Sequence, residues 1–517
     1  MLTTSRFHLR AWPVWLSVGA MLLLWVTCKW AYQDWFDDGF KYVAKTASLS
    51  AMTLMCWCVV LSARFRAVEG LFGGLDKVYQ IHKRLGKVLC AVIVLHPLFL
   101  AAHRLPDVAS FLAYFAPTLS VSDSYALGKD IGMAALFALF ALMGTSLRLV
   151  MRYDVWKRLH EYLGPVFILA AVRVYLVQAD VARYAPLRVA FWAMTLAAAA
   201  SWAYKRFFYA HFGPRHEYEV ELIERVGEIR TITFKPLGKP MNFKASQFVY
   251  LVVRKPPITP EPHPYSIASG YSPDGRFKLG IKAVGDHTAS LAHLEPGDRT
   301  SVYGPYGRFS EPFFSLGRDC VFIGGGIGIT PFIGMWHVAL HSEERMRSSE
   351  MDRMLRLRHP EISSDWKAPK VALFYLCKNR AEASFDDDIL AEVASSPFGG
   401  LENARQAGYE YILYESQTYG RFNMDQIEKI VGDEFASRLF FLCGPTPMME
   451  AISNQLLARG VPPRDIFVED FNLVLGPANA NAAGRLYREG GFCLLHIQFV
   501  KLSKGFTFEA PTRMKYS

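Results

Sequence analysis

Long apolar runs separated by short charged ones fill the first two-fifths of the chain, and past Lys205 that rhythm gives way to short, strand-length runs. Six apolar spans lie at about 12–32, 46–63, 85–103, 126–147, 160–178 and 187–204. Each is close to the ~20 residues that a membrane-crossing helix needs, so residues 1–210 are expected to form a six-helix transmembrane bundle. Residues 216–310 carry alternating segments such as YEVELIERV, IRTITFKPL, FVYLVVRK and FKLGIKAVG, broken by Gly and Pro. That period predicts a small antiparallel β-barrel over 211–315. From Asp319 an apolar strand runs into glycines and a helix, and strand-like VALFYLC (371–377), YEYILY (409–414) and RLFFLCG (438–444) alternate with helical 385–395, 423–431 and 447–459. Alternation of this kind predicts a parallel α/β domain over 316–475. A GPANANAAG linker (476–484) then leads to an extension, 476–517, with a strand-like FCLLHIQFV at 492–500.

Composition and charge refine this picture. Half of the 517 residues are hydrophobic and the formal net charge is +10. The basic residues flank apolar spans instead of forming one patch, which argues against a nucleic-acid partner and for membrane topology. Fourteen lysines and arginines, among them Arg64, Lys77 and Lys157, fall on one side of the spans and at most seven on the other. The bundle is therefore expected in an inner or plasma membrane with both of its ends cytoplasmic. The eight cysteines include no CxxC pair, so neither a metal cluster nor a disulfide framework is expected. No secretory signal with a cleavage site is evident, because the first apolar run ends in Cys-Lys-Trp.

The third span contains YQIHKRLGKVLCAVIVLHP, with His82 and His96 fourteen residues apart. That separation is roughly 1400° of helical rotation and about 21 Å of rise, which puts both rings on nearly one face and at opposite leaflets. His160 opens the fifth span, parallel to the third, and so lies at the depth of His82. Two histidines on different helices at one depth can clamp a haem iron, although such histidines can also line a polar cavity. No histidine lies between His160 and His211, and Arg173 stands at the level of His96.

Two further segments carry candidate chemistry. HPYSIAS (263–269) could set a ring on a flat cofactor, and equally could be an ordinary turn. In CVFIGGGIGITPF the strand passes into Gly324, Gly325, Gly326 and Gly328, then Thr330 and a helix-starting proline. Bare backbone amides and a helix N-terminus there form a phosphate cradle.

Taken together, these residues resemble the transmembrane ferric reductase and NADPH oxidase superfamily, whose soluble half resembles ferredoxin–NADP reductase. The likeness covers about residues 12–475. It implies b-type haem on His82 and His160, and a second haem at His96, where Arg173 replaces the family's fourth histidine. The same likeness implies an FAD motif at His263, Pro264, Tyr265 and Ser266, with Tyr265 against the isoalloxazine and Ser266 near its reactive nitrogen. Gly285 and Thr288 would hold the FAD pyrophosphate. GGGIGITPF would take the nicotinamide pyrophosphate, and Cys443, Gly444 and Pro445 would place Cys443 by the hydride path. Phe471, in EDFN, would shield the flavin. Arg380 follows the second strand of the α/β domain, where a 2′-phosphate would sit, so NADPH is favoured over NADH. The resemblance implies an enzyme passing electrons from cytoplasmic NAD(P)H through FAD and haem to an outer small-molecule or protein acceptor. Ferric chelates, dioxygen giving superoxide, and a periplasmic redox protein are all compatible. A charged insertion, 341–367, is expected to be a solvated surface helix.

Overall fold

A computed structural model describes residues 11–147, 153–177, 179–347 and 366–470 of the chain. Phe471, most of the charged insertion and the whole 476–517 extension lie outside the described residues.

The membrane half is built from α1 (Trp12–Tyr32), α2 (Gly39–Ser62), α3 (Leu75–Ala102), α4 (Ser124–Leu147), α5 (Tyr153–Glu161), α6 (Leu163–Val177) and α7 (Ala185–Ala203). Five stretches among the described residues are long and apolar enough to cross a membrane: Trp12–Tyr32, Gly39–Ser62, Leu75–Ala102, Ser124–Ser146 and Val155–Val177. The sixth expected span corresponds to α7, which is helical over 19 residues but carries Arg188, Thr195 and Ser201 among small alanines and is not among the five. The expected count of six spanning helices is corrected to five on this criterion. The fifth stretch is two helices, α5 and α6, meeting at Tyr162. Pro165 falls in the first turn of α6, where its missing N–H costs nothing, and the Trp202 indole of α7 covers Gly164 so closely that no side chain fits there.

The third helix starts about ten residues earlier than its apolar span. Its polar first turns stay helical because Leu75, Val78, Ile81 and Leu85 recur at helical spacing and are all buried. His82 thus sits well inside a long helix.

The second unit is one antiparallel sheet of β1 (Arg215–Val226), β2 (Ile229–Pro236), β3 (Phe248–Val253), β4 (His263–Ser266), β5 (Phe277–Lys282) and β6 (Arg299–Tyr306), in the order β4-β3-β6-β1-β2-β5. The sheet curls until Ile267, just past β4, bridges Leu279 of β5. The expected barrel is therefore half closed, since β4 is only four residues long and offers β5 a single pairing.

The third unit is a parallel sheet of β7 (Cys320–Gly325), β8 (Val371–Cys377), β9 (Tyr409–Glu415), β10 (Leu439–Cys443) and β11 (Ile466–Glu469), ordered β11-β10-β7-β8-β9. Its connections include α8 (Thr330–Arg347), α9 (Asp386–Ser395) and α10 (Thr446–Ala458). The strand order reverses between β7 and β10, and in open α/β sheets the crevice beyond such a switch point is where ligands bind.

Membrane and soluble halves share a core. Phe248, Tyr250, Tyr303 and Tyr306 of the curled sheet belong to the same buried cluster as Leu61, Val78 and Ile81. Polar contacts fix the docking: the Tyr79 and Tyr250 hydroxyls lie 3.2 Å apart, the Arg64 guanidinium is 3.7 Å from the Tyr250 ring centre, and the Glu69 carboxylate accepts from the Gly307 amide at 2.7 Å. The basic loops expected on the inner side are those that meet the curled sheet.

Candidate functional site

The inner histidine pair comes together as its depth predicted. His82 on α3 and His160 on α5 have ring centres 6.0 Å apart. The hydrogen bonds around them fix their tautomers. The Cys58 carbonyl can only accept, so His82 Nδ1, at 2.9 Å, is the protonated nitrogen. Ser146 donates to the Leu142 carbonyl at 3.2 Å and accepts from Trp156 Nε1 at 3.1 Å, which leaves it to accept from His160 Nδ1 at 3.2 Å. The Trp156 ring stacks on His160, 5.1 Å between centres. Both imidazoles thus keep Nε2 unprotonated, with its lone pair available. Two metal–nitrogen bonds of about 2 Å plus the two ring radii come to roughly 6 Å, so the pair fits an axially ligated iron.

The outer level differs. His96 Nδ1 donates to the Ala44 carbonyl at 2.8 Å, and Arg173 Nη2 reaches His96 Nε2 at 2.7 Å. A guanidinium only donates, so the Arg173 hydrogen bond occupies the lone pair that an iron would need. The residues present do not make a bis-histidine haem site here, and His96, expected as an outer ligand, is a hydrogen-bonded partner of Arg173. Around the pair lies a cavity walled by Met52, Met55, Ile93, Leu139 and Val166, with Lys129 at its polar side and Lys45 in an adjoining pocket. Asp180, the acid at this end, is held by Lys29 at 3.0 Å and Trp25 at 2.9 Å. Among the described residues no carboxylate pairs with Arg173.

On the curled sheet, β4 carries His263, Pro264, Tyr265 and Ser266 in line. Ser266 is buried, and the Tyr265 hydroxyl is buried with no partner among the described residues. A buried phenol with no partner among the described residues fits a ligand with its own polar edge, as a flavin has. Thr288 serves its own turn: its hydroxyl accepts from the Val284 and Gly285 amides at 2.9 and 3.0 Å. A built Cβ on Gly285 meets nothing, so the space beside it is open.

His263 and His287 stack face to face, 3.5 Å between centres and 13° between planes. Burial, with His287 and then Lys157 adding to it, holds His263 down to about 3, and burial holds His287 down to about 4. Lys157 lies three residues before His160, so its electrostatic effect on His263 puts this strand on the side of the bundle that carries the His82 and His160 pair. Both rings are neutral in the fold, whereas an unfolded histidine titrates near 6.5. Between roughly pH 6.5 and 4 the unfolded chain binds more protons, so this stabilisation is complete above pH 6.5 and is lost as pH falls. Thermal melts are expected to shift down across that window. The paired variant His263→Gln with His287→Gln should flatten the slope, and an unaltered slope would remove the assignment.

At the switch point, Gly324 and Gly325 end β7 and Gly326 turns with φ +56°. A Cβ on Gly328 would lie 2.5 Å from the Cys443 carbonyl oxygen, and one on Gly325 2.6 Å from the Met448 sulfur, so these glycines let two strand ends meet over one crevice. Thr330 is buried and donates to the Ile327 carbonyl at 3.0 Å, bracing the loop. Cys443 ends β10 opposite Gly324, followed by Gly444 and by Pro445, the N-cap of α10. Arg380 donates to Asp386 at 2.7 Å, with its side chain two-thirds exposed, and its amide donates to Glu415 at 2.9 Å. The guanidinium expected at the 2′-phosphate is thus already half neutralised.

Sequence reasoning missed Glu469. It pairs in register with Cys443 across β10 and β11, is 2 % exposed, and has one carboxylate oxygen without a partner among the described residues. Burial and then Asp76 push its pKa well up; burial, then Glu469 and Asp470, push the Cys443 thiol up as well. The available signal was an acid closing the otherwise apolar strand IFVE. Next to it Lys77, in the first turn of α3, donates to the Val468 carbonyl at 3.1 Å.

A family model described as "Ferric reductase like transmembrane component" matches residues 47–171. The soluble half is similar to the reductase component of phenol 2-monooxygenase from Pseudomonas sp. (strain CF600), 26% identical over 263 residues, covering 49% of this chain and 64% of that protein. It is also similar to the glycine betaine monooxygenase reductase subunit of Pseudomonas aeruginosa, 28% identical over 250 residues, covering 47% and 60%. The chain thus spans a little under two thirds of the length of these curated relatives. Among solved structures, the flavohem-like FAD/NAD-binding domain of nitric oxide dioxygenase from Vibrio cholerae O1 biovar El Tor aligns with a TM-score of 0.37 at 19% identity, covering 50% of this chain and 98% of that one. The chain therefore joins a region that matches a ferric reductase-like transmembrane component to a soluble region similar to the reductase components of bacterial monooxygenases.

Proposed function

We propose that the chain is a transmembrane oxidoreductase that takes electrons from cytoplasmic NAD(P)H and delivers them to an acceptor on the other side, with anionic ferric chelates as that acceptor. One observation carries the reading: α3 starts at the Cys443 and Glu469 corner, through Lys77 on Val468, and six residues after Asp76 it carries His82, whose ring centre is 6.0 Å from that of His160, on the helix whose Lys157 acts electrostatically on His263. Nucleotide crevice, flavin strand and haem pair therefore meet at one end of the bundle. FAD, when bound, accepts a hydride from the nicotinamide and releases electrons singly, and b-type haem carries them one at a time.

The chain's own residues position and insulate. Tyr265 and Ser266 offer a ring face and a buried hydroxyl to the flavin, while Gly324, Gly325, Gly326 and Gly328 let the dinucleotide approach bare backbone. Cys443, at the end of β10, and Glu469 beside it in register would border the nicotinamide edge. His82 and His160 would hold a haem iron, their rings oriented by Cys58 and by Ser146 with Trp156. On the outer side, Arg173, Lys129 and Lys45 set a cationic end on an apolar cleft that reaches down past Met55 to Leu139 and Val166, and this charge suits an anionic chelate.

The purified protein, reconstituted with FAD and haem, tests the reading by a reduced-minus-oxidised spectrum recorded with NADPH and with NADH. Bands of b-type that either nucleotide reduces, and that ferric citrate reoxidises, are expected. Absence of b-type bands, or bands that neither nucleotide reduces, would falsify it. Equal kcat/KM for the two nucleotides would remove the preference assigned to Arg380.

A further inference from the structure

Away from the electron path, α8 and α9 bring three metal-binding side chains to one point. His337 and His341 are four residues apart on α8, so their rings project from the same face one turn apart. Glu392 faces them from α9. The ligating atoms, one from each residue, all lie within 4.8 Å of one another. Glu392 Oε2 is 2.6 Å from His337 Nδ1 and 3.3 Å from His341 Nε2, and the imidazole centres are 4.8 Å apart. All three side chains are largely withdrawn from solvent, at 14%, 12% and 25% exposure.

We infer that His337, His341 and Glu392 form a binding site for a divalent transition metal of the zinc class. Two imidazole nitrogens and one carboxylate oxygen are the donor set of three-ligand zinc sites, where water completes a tetrahedron. Zinc–ligand bonds of about 2.0–2.2 Å put tetrahedral ligand atoms roughly 3.3–3.6 Å apart, so the His341 contact to Glu392 needs little change, the His337 contact opens by up to about 1 Å, and the two histidine nitrogens, within 4.8 Å, draw together by somewhat more than about 1 Å. The carboxylate is already an anion: burial works against it, but hydrogen bonds from the two histidines outweigh burial and bring Glu392 down to about 2.

The position gives the site a consequence. His337 packs directly on Gly270, leaving no room for a side chain there, and Gly270 follows the flavin strand by four residues. The helix that holds His337 begins at the dinucleotide loop. A metal joining α8 to α9 would fix the His337 ring that packs on the loop behind the flavin strand. This is separate from the electron path, because none of the three residues touches the haem pair or the crevice at Cys443.

The test is zinc content. Full-length protein with any affinity tag removed is stripped with a chelator, dialysed against micromolar Zn²⁺ and analysed for bound metal beside Glu392→Gln and His341→Ala. One zinc per chain is expected in the parent, with affinity at least about tenfold weaker in each variant, and the parent's melting temperature should rise with Zn²⁺ while Glu392→Gln does not respond. Glu392→Gln keeps the side-chain volume, so its haem and flavin spectra report whether the fold is intact. No zinc above background in the parent would mean a hydrogen-bonded triad only, and equal zinc in parent and both variants would place the metal elsewhere; either result overturns the site.

Discussion

Alanine at His82 is expected to take the haem-to-FAD ratio from about one to near zero with FAD content unchanged, and to abolish nucleotide-dependent acceptor reduction. His82 and His160 are each oriented by a second partner, the Cys58 carbonyl for one and Ser146 with Trp156 for the other. A lone remaining imidazole keeps its orientation but must hold the iron from one side, and metal sites lose roughly 10–100-fold in affinity even when only such an outer partner is removed. Ser146→Ala should therefore give a milder defect, with haem retained but its reduced spectrum broadened. His96→Ala should leave the ratio unaltered, because Arg173 already occupies the nitrogen in question. A ratio halved by His96→Ala would show that an iron sits at the outer level after all.

Much of this arrangement was legible in the sequence, and the reason is physical. Apolar runs of membrane length have few alternative folds, and the axial rise per residue fixes depth, so His82, His160, His96 and Arg173 could be sorted into two levels before any contact was known. Strand, glycines and helix in order likewise located the loop at Gly324 to Gly328. What spacing could not give is which atoms meet. That Arg173 donates to His96 Nε2, that Glu469 pairs with Cys443, and that Arg380 is shared with Asp386 all depend on contacts across long sequence distances. Closure of the curled sheet failed for a related reason: it hangs on the one pairing of Ile267 with Leu279, and local alternation carries no trace of it. Thr330 is legible in sequence as part of the glycine loop, but that its hydroxyl donates to the Ile327 carbonyl is not.

Arg173 is where the largest change in substrate handling is expected. It is a cation inside a membrane span whose hydrogen-bond partner is a neutral histidine, and a charge with no carboxylate partner among the described residues is costly at that depth. An anionic chelate entering the cleft would supply the missing counter-charge. A charge-assisted hydrogen bond contributes about 1.5–3 kcal/mol, so Arg173→Ala should lower kcat/KM for ferric citrate by roughly 10- to 150-fold while flavin reduction by NADPH proceeds at the parental rate. Arg173→Lys, which keeps the charge but not the planar fork, should fall between. Arg173→His should act in another way: with His96 at the same level, it would complete a second histidine pair and raise the haem-to-FAD ratio from about one to about two. If Arg173→Ala leaves ferric citrate kinetics unchanged, the cationic cleft is not the acceptor site. If the parent already holds two haems per FAD, Arg173 belongs to the surroundings of a haem and the electron leaves the protein by a different route.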